Sequence, residues 1–285
     1  MPKLIAIVGP TAVGKTKYAV DLALQKACPI ISADSRQFYK EISIGTAKPD
    51  ANEMKGVPHH FINSHSVHET FTAGDFEKEG ILLLEKLFQN HDEVILVGGS
   101  GMYVNALCMG LDEMPQGNEE IRTQLQQLFH EKGITILQEK LKHLDPDFFE
   151  ICEQKNPQRL MRAIEICLVT GKTNLEIRNG NVPKKRFFEI QFIGLEMPRN
   201  LLNLKIEARV DEMIDNGLVN EVKSMLSFRN HYALKTVGYR EIFSYLDGEI
   251  SLDQAIELIK KNTKDYAKKQ MTWFKKNEKV NWISA

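Results

Sequence analysis

A short segment near the N-terminus contains residues whose types and spacing could bind phosphate groups. Residues 9–16 read GPTAVGKT, which fits the pattern G-x-x-x-x-G-K-[ST]. In such a loop Gly9 and Gly14 let the backbone turn so that its N–H groups converge on an anion. Lys15 adds a positive charge, and the hydroxyl of Thr16 can bind a magnesium ion that bridges phosphate oxygens. The segment therefore predicts a site for a diphosphate or triphosphate group.

This loop needs a strand before it and a helix after it, and the sequence supplies both. Residues 4–8 form an apolar run of the length of a buried strand. From Lys17 onward the apolar positions are typical of a helix, whose N-terminus would point at the bound anion. With both neighbours in place, a chance match to the pattern is the weaker interpretation.

Further apolar runs alternate with helical periodicity through the first part of the chain. The next predicted strands are residues 29–33, 60–63 and 94–97. Strands that alternate with helices predict an α/β fold with a parallel, doubly wound sheet. Ligands of such sheets bind outside the carboxyl ends of the strands, where the phosphate loop, Asp34 and Ser100 are all expected.

The pattern changes near residue 114. From Asn118 to about residue 179 the periodicity is helical with no strand candidate, and Asp145-Pro146 and Asn156-Pro157 predict helix starts. A strand-like run at residues 187–195 follows, and further helices are predicted after it. We therefore predict a P-loop core with a parallel sheet flanked by helices, plus an all-helical insertion domain. The predicted boundaries are residues 1–116 for the first part of the core, 117–184 for the insertion, and 185–285 for the return strand and C-terminal helices.

The composition of the 285 residues is that of an ordinary globular protein, with 42% hydrophobic and 26% charged residues. No apolar run approaches membrane-spanning length and a strand begins near the N-terminus, so we expect no signal peptide, no membrane partner and a cytoplasmic location. The net charge of −1 is uninformative about nucleic acid, but lysines concentrate from Lys260 onward. That cluster is either a solvated helix face or a phosphate-binding surface, and charge alone does not decide between them.

Phosphoryl transfer is poorly supported by the rest of the sequence. A kinase or ATPase would carry a magnesium-binding carboxylate at the end of a second strand, where this chain has Gly98 and Gly99. The N-K-x-D pattern of guanine-binding proteins is absent. Arg122, Arg159 and Arg162 are spread over the insertion and do not form the arginine-rich lid of a nucleotide kinase.

Seven short motifs occur in an order that points to one family. They read, in chain order, GPTAVGKT, ISADSRQFY, IGTAKP, PHHFI, VGGSGMY, PQRLMRA and TVGYREI. Together they closely resemble the bacterial tRNA dimethylallyltransferases, the tRNA isopentenyltransferases of the IPP transferase family, over nearly the whole chain. The P-loop alone is shared with many unrelated enzymes, whereas its combination with DSRQ, IGTAKP and VGYR is highly specific.

The resemblance implies transfer of a dimethylallyl group from dimethylallyl diphosphate to N6 of the adenine immediately 3′ of the anticodon, position 37 of tRNA. The loop would hold the departing diphosphate, and Lys15 with a Thr16-bound Mg²⁺ would stabilise the charge growing on the bridging oxygen. The adenine amine is a weak nucleophile, so a carboxylate is expected to accept its proton. Asp34, at the end of the neighbouring strand, is placed for this role, although it could instead cap a helix or contact magnesium-bound ligands.

The candidate site residues fall into three groups, of which several are assigned by the resemblance alone. The catalytic residues would be Asp34 and Thr11. The diphosphate would contact Gly9, Pro10, Thr11, Ala12, Val13, Gly14, Lys15, Thr16 and Arg209, and the metal would be held by Thr16. The anticodon stem-loop would contact Asp34, Ser35, Arg36, Gln37, Ser100, Arg122, Gln158, Arg159, Leu160, Met161, Arg162, Lys235, Thr236, Val237, Gly238, Tyr239 and Arg240.

Two of these tRNA-binding segments also have a chemical rationale of their own. Residues 235–240 combine a flexible glycine, an aromatic face and two cations, which suits single-stranded RNA in a loop. Arg159 and Arg162 lie three residues apart on one predicted helix face, where they could bind phosphates or form a surface salt bridge.

Three other functions remain open on the sequence. They are an adenylate isopentenyltransferase that acts on free nucleotide, a P-loop small-molecule kinase, and a non-catalytic RNA-binding or regulatory NTPase module. The insertion with Gln158 and Arg159, together with the basic C-terminal region, favours a macromolecular acceptor. Nothing in the sequence demands more than a monomer.

Overall fold

The computed structural model describes residues 1–179 and 184–285. The chain divides into two compact units, which we call the core unit (Met1–Gly110 with Lys185–Ala285) and the helical unit (Leu111–Lys184). Residues 180–183 of the predicted insertion lie outside the described residues.

A six-stranded sheet forms the centre of the core unit. Its strands are β1 Lys3–Val8, β2 Ile30–Ser32, β3 His59–His60, β4 Glu93–Val97, β5 Glu189–Glu196 and β6 Val280–Ser284. They lie in the order β3-β2-β4-β1-β5-β6, and every pairing is parallel. Residues 4–8 of β1 are all buried, as expected for a central strand of a parallel sheet. The predicted parallel α/β core is confirmed.

Helices make up most of the remaining described chain. In chain order they are α1 Lys15–Lys26, α2 Ala51–Met54, α3 Ala73–Leu87, α4 Gly101–Met109, α5 Glu119–Lys132, α6 Ile134–Leu144, α7 Pro146–Ile151, α8 Pro157–Thr170, α9 Asn174–Asn179, α10 Arg199–Asp215, α11 Leu218–Ser224, α12 Tyr239–Leu246 and α13 Leu252–Phe274. None of them combines the length and apolar character that a bilayer span requires, within residues 1–179 and 184–285.

The helical unit folds around its own apolar core. Leu137, Leu141, Leu160 and Ile164 are completely buried there, on helices α6 and α8. As the sequence predicted, α7 and α8 begin with proline directly after a capping residue: Asp145 accepts from the backbone N–H of Phe148, and Asn156 from that of Arg159. Local chemistry therefore defines these helix starts.

Some element boundaries differ from the predictions for identifiable reasons. The third strand is His59–His60 and not residues 60–63, because Phe61 and Asn63 have φ angles of 61° and 54°, which a strand cannot contain. The strand β6 was not predicted, since it forms by pairing with β5, which lies about 90 residues earlier in the chain. Among the further helices predicted after residue 195, α11 ends at Ser224 and is followed by a short 3₁₀ turn at Leu226–Phe228.

Candidate functional site

The phosphate loop connects β1 to α1 at the carboxyl edge of the sheet. Three of its residues have positive φ angles, Gly9 (147°), Ala12 (64°) and Gly14 (103°). A Cβ atom on Gly9 would lie 2.6 Å from the carbonyl oxygen of Leu195, so only glycine allows the loop to pass this close to β5. The turn leads directly into the N-terminus of α1, where the helix dipole and free N–H groups favour an anion.

Two cations lie at this loop. The Lys15 Nζ donates to the carbonyl oxygen of Pro10 (2.7 Å), and Arg209 on α10 donates from Nη1 to the hydroxyl of Thr11 (3.3 Å). Burial lowers the pKa of Lys15 to about 7, an effect that the charge of Asp34 opposes and that of Arg209 reinforces. Burial likewise lowers the pKa of Arg209. An anion held by the loop would supply the negative charge that these partly desolvated cations lack.

Asp34 follows the end of β2. The prediction that β2 neighbours β1 is wrong, because β4 lies between them. The strands are parallel, however, so Asp34 still lies at the same edge of the sheet as the phosphate loop. Its Oδ1 accepts from the backbone N–H of Arg36 (3.0 Å), which is the geometry of an Asx turn and not of a helix cap.

The segment after Asp34 is anchored by side-chain hydrogen bonds. Ser35 donates its N–H to the hydroxyl of Ser100 (3.0 Å). Gln37 donates from its amide to the carbonyls of Thr46 (3.2 Å) and Ala47 (3.1 Å). The first contact joins the predicted RNA-binding segment to the start of α4, and those of Gln37 hold it against the turn at residues 43–47.

A cleft of about 320 Å³ opens between these elements. The sequence-predicted site residues that line it are Thr11, Asp34, Ser35, Arg36, Arg209, Lys235, Thr236, Val237, Gly238 and Arg240. The structure thus brings Thr11 of the phosphate loop, Arg209, and predicted RNA-binding residues from 34–36 and 235–240 to one cavity.

Within residues 235–240, the exposed and buried positions differ from the prediction. Lys235 and Arg240 are exposed, but Tyr239 is completely buried. Its hydroxyl donates to Glu221 Oε1 (2.6 Å), burial raises the pKa of that hydroxyl, and its ring leaves no room for a side chain on Gly45. The prediction of an aromatic face for RNA at Tyr239 is therefore corrected: this ring packs inside the protein.

Glu221, on α11, was missed by the sequence analysis. Its carboxylate accepts the backbone N–H groups of Ser43 (2.8 Å), Ile44 (2.8 Å) and Gly45 (3.0 Å), in addition to the hydroxyl of Tyr239. It therefore shapes the turn that forms one wall of the cleft. No motif marks it, because the backbone N–H groups that it accepts lie about 180 residues away in the chain.

Two further residues missed by the sequence analysis lie on α13. Gln270 is buried, and its amide contacts both Thr11 and Gly99. Tyr266 lines the cleft beside Asp34 and Ser100, and desolvation, reinforced by the charge of Asp34, raises the pKa of its hydroxyl to about 12. In the sequence, the lysines are the only feature of α13 that suggests a function, and no local signal indicates Gln270 or Tyr266.

The helical unit contains the remaining predicted residues, and most of its arginines are paired. Glu165, completely buried on α8, accepts hydrogen bonds from Arg122 Nη2 (3.3 Å), from Arg162 Nη1 (2.6 Å) and from the backbone N–H of Asn118 (2.6 Å), and Arg122 Nε lies 2.8 Å from its Oε1. We call Arg122, Arg162 and Glu165 the arginine cluster. These contacts lower the pKa of Glu165 although its burial opposes the shift.

The other predicted positions of α8 divide between surface and core. Gln158 and Arg159 are exposed, and Arg159 lies 3.4 Å from Glu153 in an exposed ion pair. Met161 is partly exposed, whereas Leu160 is completely buried in the apolar core. The prediction that Leu160 contacts tRNA is therefore corrected for its side chain, which is not accessible to a ligand.

The chain resembles proteins of one family along almost its whole length. A family model described as IPP transferase matches residues 37–277. A tRNA dimethylallyltransferase of Cytophaga hutchinsonii is 45% identical over 280 residues, 98% of this chain and 92% of the relative. One from Christiangramia forsetii is 46% identical with the same coverage.

Solved structures give the same result. The tRNA isopentenylpyrophosphate transferase of Bacillus halodurans superposes with a TM-score of 0.74 at 36% identity, over 100% of this chain and 90% of that one. A eukaryotic dimethylallyltransferase acting on tRNA gives a TM-score of 0.83 at 25% identity, over 100% of this chain and 74% of that one.

Proposed function

Because the chain belongs to the IPP transferase family, we propose that it is a tRNA dimethylallyltransferase. It transfers the dimethylallyl group of dimethylallyl diphosphate to N6 of the adenine 3′ of the anticodon, position 37, and releases diphosphate. The observation that carries this proposal is the single cleft in which Thr11 of the phosphate loop, Arg209 and Asp34 meet.

The phosphate loop and its cations bind the group that departs. As the bond between C1 of the dimethylallyl group and its bridging oxygen breaks, the electron pair stays on the diphosphate. Lys15, Arg209 and the N-terminus of α1 all lie at the phosphate loop, which supports a role for them in stabilising this charge as it develops. The Lys15 ammonium leaves the carbonyl of Pro10 to do so.

Thr16 is the residue that would hold Mg²⁺ together with the diphosphate oxygens. Its hydroxyl is the hard oxygen ligand that Mg²⁺ prefers, and it follows Lys15 in the first turn of α1. The described residues contain no group of three or more His, Cys, Asp or Glu side chains suited to a metal. A magnesium ion here would accordingly take most ligands from the diphosphate and water, and would neutralise diphosphate charge.

Asp34 accepts the proton that N6 loses. The adenine nitrogen attacks C1, a C–N bond forms, and the N–H proton passes to the carboxylate. The adenine has to be extruded from the anticodon stack to reach the cleft, which costs a few kcal/mol. Ser35, Arg36 and Ser100, next to Asp34, are proposed to contact the extruded base and its neighbours.

Exposed cations of both units are proposed to bind the anticodon stem-loop. In the core unit these are Lys235 and Arg240, and in the helical unit Arg159 is the most exposed candidate. One chain supplies the phosphate loop, Arg209 and Asp34, which supports a monomer as the active unit.

The test is incubation of the protein with Mg²⁺, labelled dimethylallyl diphosphate and either unmodified tRNA or adenosine monophosphate. Label at position 37 of the tRNA, and none in the free nucleotide, is the expected outcome. Label in the free nucleotide would instead identify an adenylate isopentenyltransferase. If neither acceptor is labelled, transfer of a labelled γ-phosphate from ATP would identify a kinase.

A further inference from the structure

Gln270 uses its whole side-chain amide to join two parts of the site. Its Oε1 accepts the backbone N–H of Thr11 (2.8 Å), and its Nε2 donates to the carbonyl oxygen of Gly99 (2.9 Å). The residue is 5% exposed, so water does not substitute readily for either bond. Thr11 lies in the phosphate loop, and Gly99 lies just beyond the carboxyl end of β4.

The contact with Thr11 bears on the diphosphate side of the cleft. Because its N–H is engaged by Gln270, Thr11 is oriented by α13. Its hydroxyl accepts in turn from Arg209 (3.3 Å). The orientation of Thr11 therefore affects where the Arg209 guanidinium lies.

The contact with Gly99 bears on the acceptor side. A Cβ atom on Gly99 would lie 2.2 Å from the Gln270 Nε2, so the glycine is what lets the amide approach. The next residue, Ser100, accepts the N–H of Ser35 (3.0 Å), directly beside Asp34. Gln270 therefore contacts the phosphate loop directly and is connected to the candidate base through Gly99, Ser100 and Ser35.

We propose that Gln270 is a positioning residue for the transfer reaction, which fixes Thr11 and, through it, Arg209 relative to the Asp34 side of the cleft. The predicted effect on the transfer rate rests on the proposed function. The orientation of the phosphate loop by Gln270 does not depend on it. Misplacing groups that bind a departing diphosphate by even 1 Å can cost about 100-fold in rate.

Two substitutions separate positioning from simple structural support. Gln270→Met keeps a similar volume and removes both hydrogen bonds. Gln270→Glu keeps an acceptor for Thr11, but its ionised carboxylate faces the carbonyl of Gly99; once protonated, its hydroxyl can donate to that carbonyl. Burial raises the pKa of such a carboxyl group, so this variant should regain function as the pH falls.

The experiment measures kcat and KM for each substrate, and calorimetric binding of inorganic diphosphate with Mg²⁺. We expect Gln270→Met to lower kcat/KM for dimethylallyl diphosphate by about 10- to 100-fold. The KM for tRNA should stay within about twofold of the parent value, and diphosphate affinity should fall. Gln270→Glu should show a similar loss at pH 8 and recover, relative to the parent protein, towards pH 6.

Ala255→Gly is the matched control, since it weakens the same helix far from the loop and should leave all of these constants unchanged. The proposal is overturned if folded Gln270→Met binds diphosphate and turns over like the parent. It is equally overturned if the activity of Gln270→Glu has the same pH dependence as that of the parent protein. This second measurement can still be made if Gln270→Met does not fold. If the parent protein transfers no label to tRNA, the proposed function fails, while diphosphate binding still tests Gln270.

Discussion

The cleft of the core unit and the arginine cluster of the helical unit contain the same kinds of charged side chain in opposite situations. At the cleft and the adjoining phosphate loop, Lys15 and Arg209 donate to a carbonyl and a hydroxyl, and the carboxylate of Asp34 accepts a backbone N–H. Within the described residues, none of the three is in an ion pair. In the arginine cluster, a buried carboxylate is paired with two guanidinium groups.

The difference separates charges that can act on a substrate from charges that hold the fold. A paired, buried carboxylate has no capacity left for a ligand, and removing it leaves its partners unsatisfied. Charged groups whose hydrogen bonds go to neutral partners can exchange those bonds for stronger ones to a charged substrate. Ion pairing therefore separates the predicted diphosphate-binding cations from Arg122 and Arg162, whose predicted contact with tRNA remains a proposal.

The largest effect is expected at the unpaired carboxylate. Asp34→Asn removes the proton acceptor and should lower kcat by about 10²–10⁴-fold, with tRNA affinity nearly unchanged. Single-turnover transfer from labelled dimethylallyl diphosphate measures this. Asp21→Asn, at an exposed aspartate paired with Lys55, is the matched control. Full activity of Asp34→Asn would contradict the assignment of the base.

At Glu165, the paired carboxylate, a substitution should lower the free energy of unfolding and not the rate of transfer. Glu165→Gln removes the buried anion that Arg122 and Arg162 share and should destabilise the helical unit by about 2–3 kcal/mol, because both arginines are partly hydrated. Hydrogen exchange of α5 and α8, together with urea unfolding, reports this loss. Glu153→Gln, which removes only the exposed partner of Arg159, should cost less than about 1 kcal/mol. Equal costs for the two variants would remove the distinction between them.

Lys15→Ala tests whether the diphosphate and the tRNA are bound by different residues of the site. Removing one charged donor to the leaving group should lower transfer by about 10²–10³-fold. Affinity for tRNA should survive, since the loop holds only the diphosphate. Lys17→Ala, two residues further along α1 and exposed, serves as control. A parallel loss of tRNA affinity would show that the loop also supports RNA binding.

The lowered pKa of Lys15 predicts a pH dependence of donor binding. The free ammonium loses its proton near pH 7, and a bound diphosphate would raise that pKa, so binding takes up a proton above pH 7. Affinity for dimethylallyl diphosphate should therefore fall as pH rises above about 7, by up to tenfold per unit. Calorimetry in two buffers of different ionisation enthalpy measures the proton uptake. In Lys15→Arg, whose charge is permanent, this dependence should disappear.

The smallest effect is expected at Arg159, whose ion pair is exposed. Arg159→Ala should change stability by less than about 1 kcal/mol but weaken tRNA binding and reduce its salt slope by roughly one phosphate contact. Arg162→Ala, in contrast, should lower the free energy of unfolding, because it removes one of the two cations paired with the buried carboxylate of Glu165. Filter binding across a salt series separates the two. An unchanged slope for Arg159→Ala would assign this arginine to the protein surface alone.

Much of the fold could be predicted from local patterns. The strand, phosphate loop and α1 occupy consecutive residues, and Asn156-Pro157 carries its own cap, so each needs only its neighbours in the chain. The parallel sheet followed from the alternation of strands and helices. The order of the strands could not be predicted in this way, because β4 lies between β1 and β2 although it begins about 60 residues after β2 ends. The contacts of Glu221 and Gln270 are more distant still.

The sequence by itself determined the chemistry available at each position: a loop able to bind diphosphate, a carboxylate after a strand, arginines on a helix, and membership of a family. The tertiary structure decided which of these groups are buried, which are paired and which line the cleft. It buried Tyr239, paired Arg162 with Glu165 and left Asp34 facing the cleft. The reason is physical, since backbone turns and helix caps depend on adjacent residues, whereas burial and ion pairing depend on residues that only folding brings together.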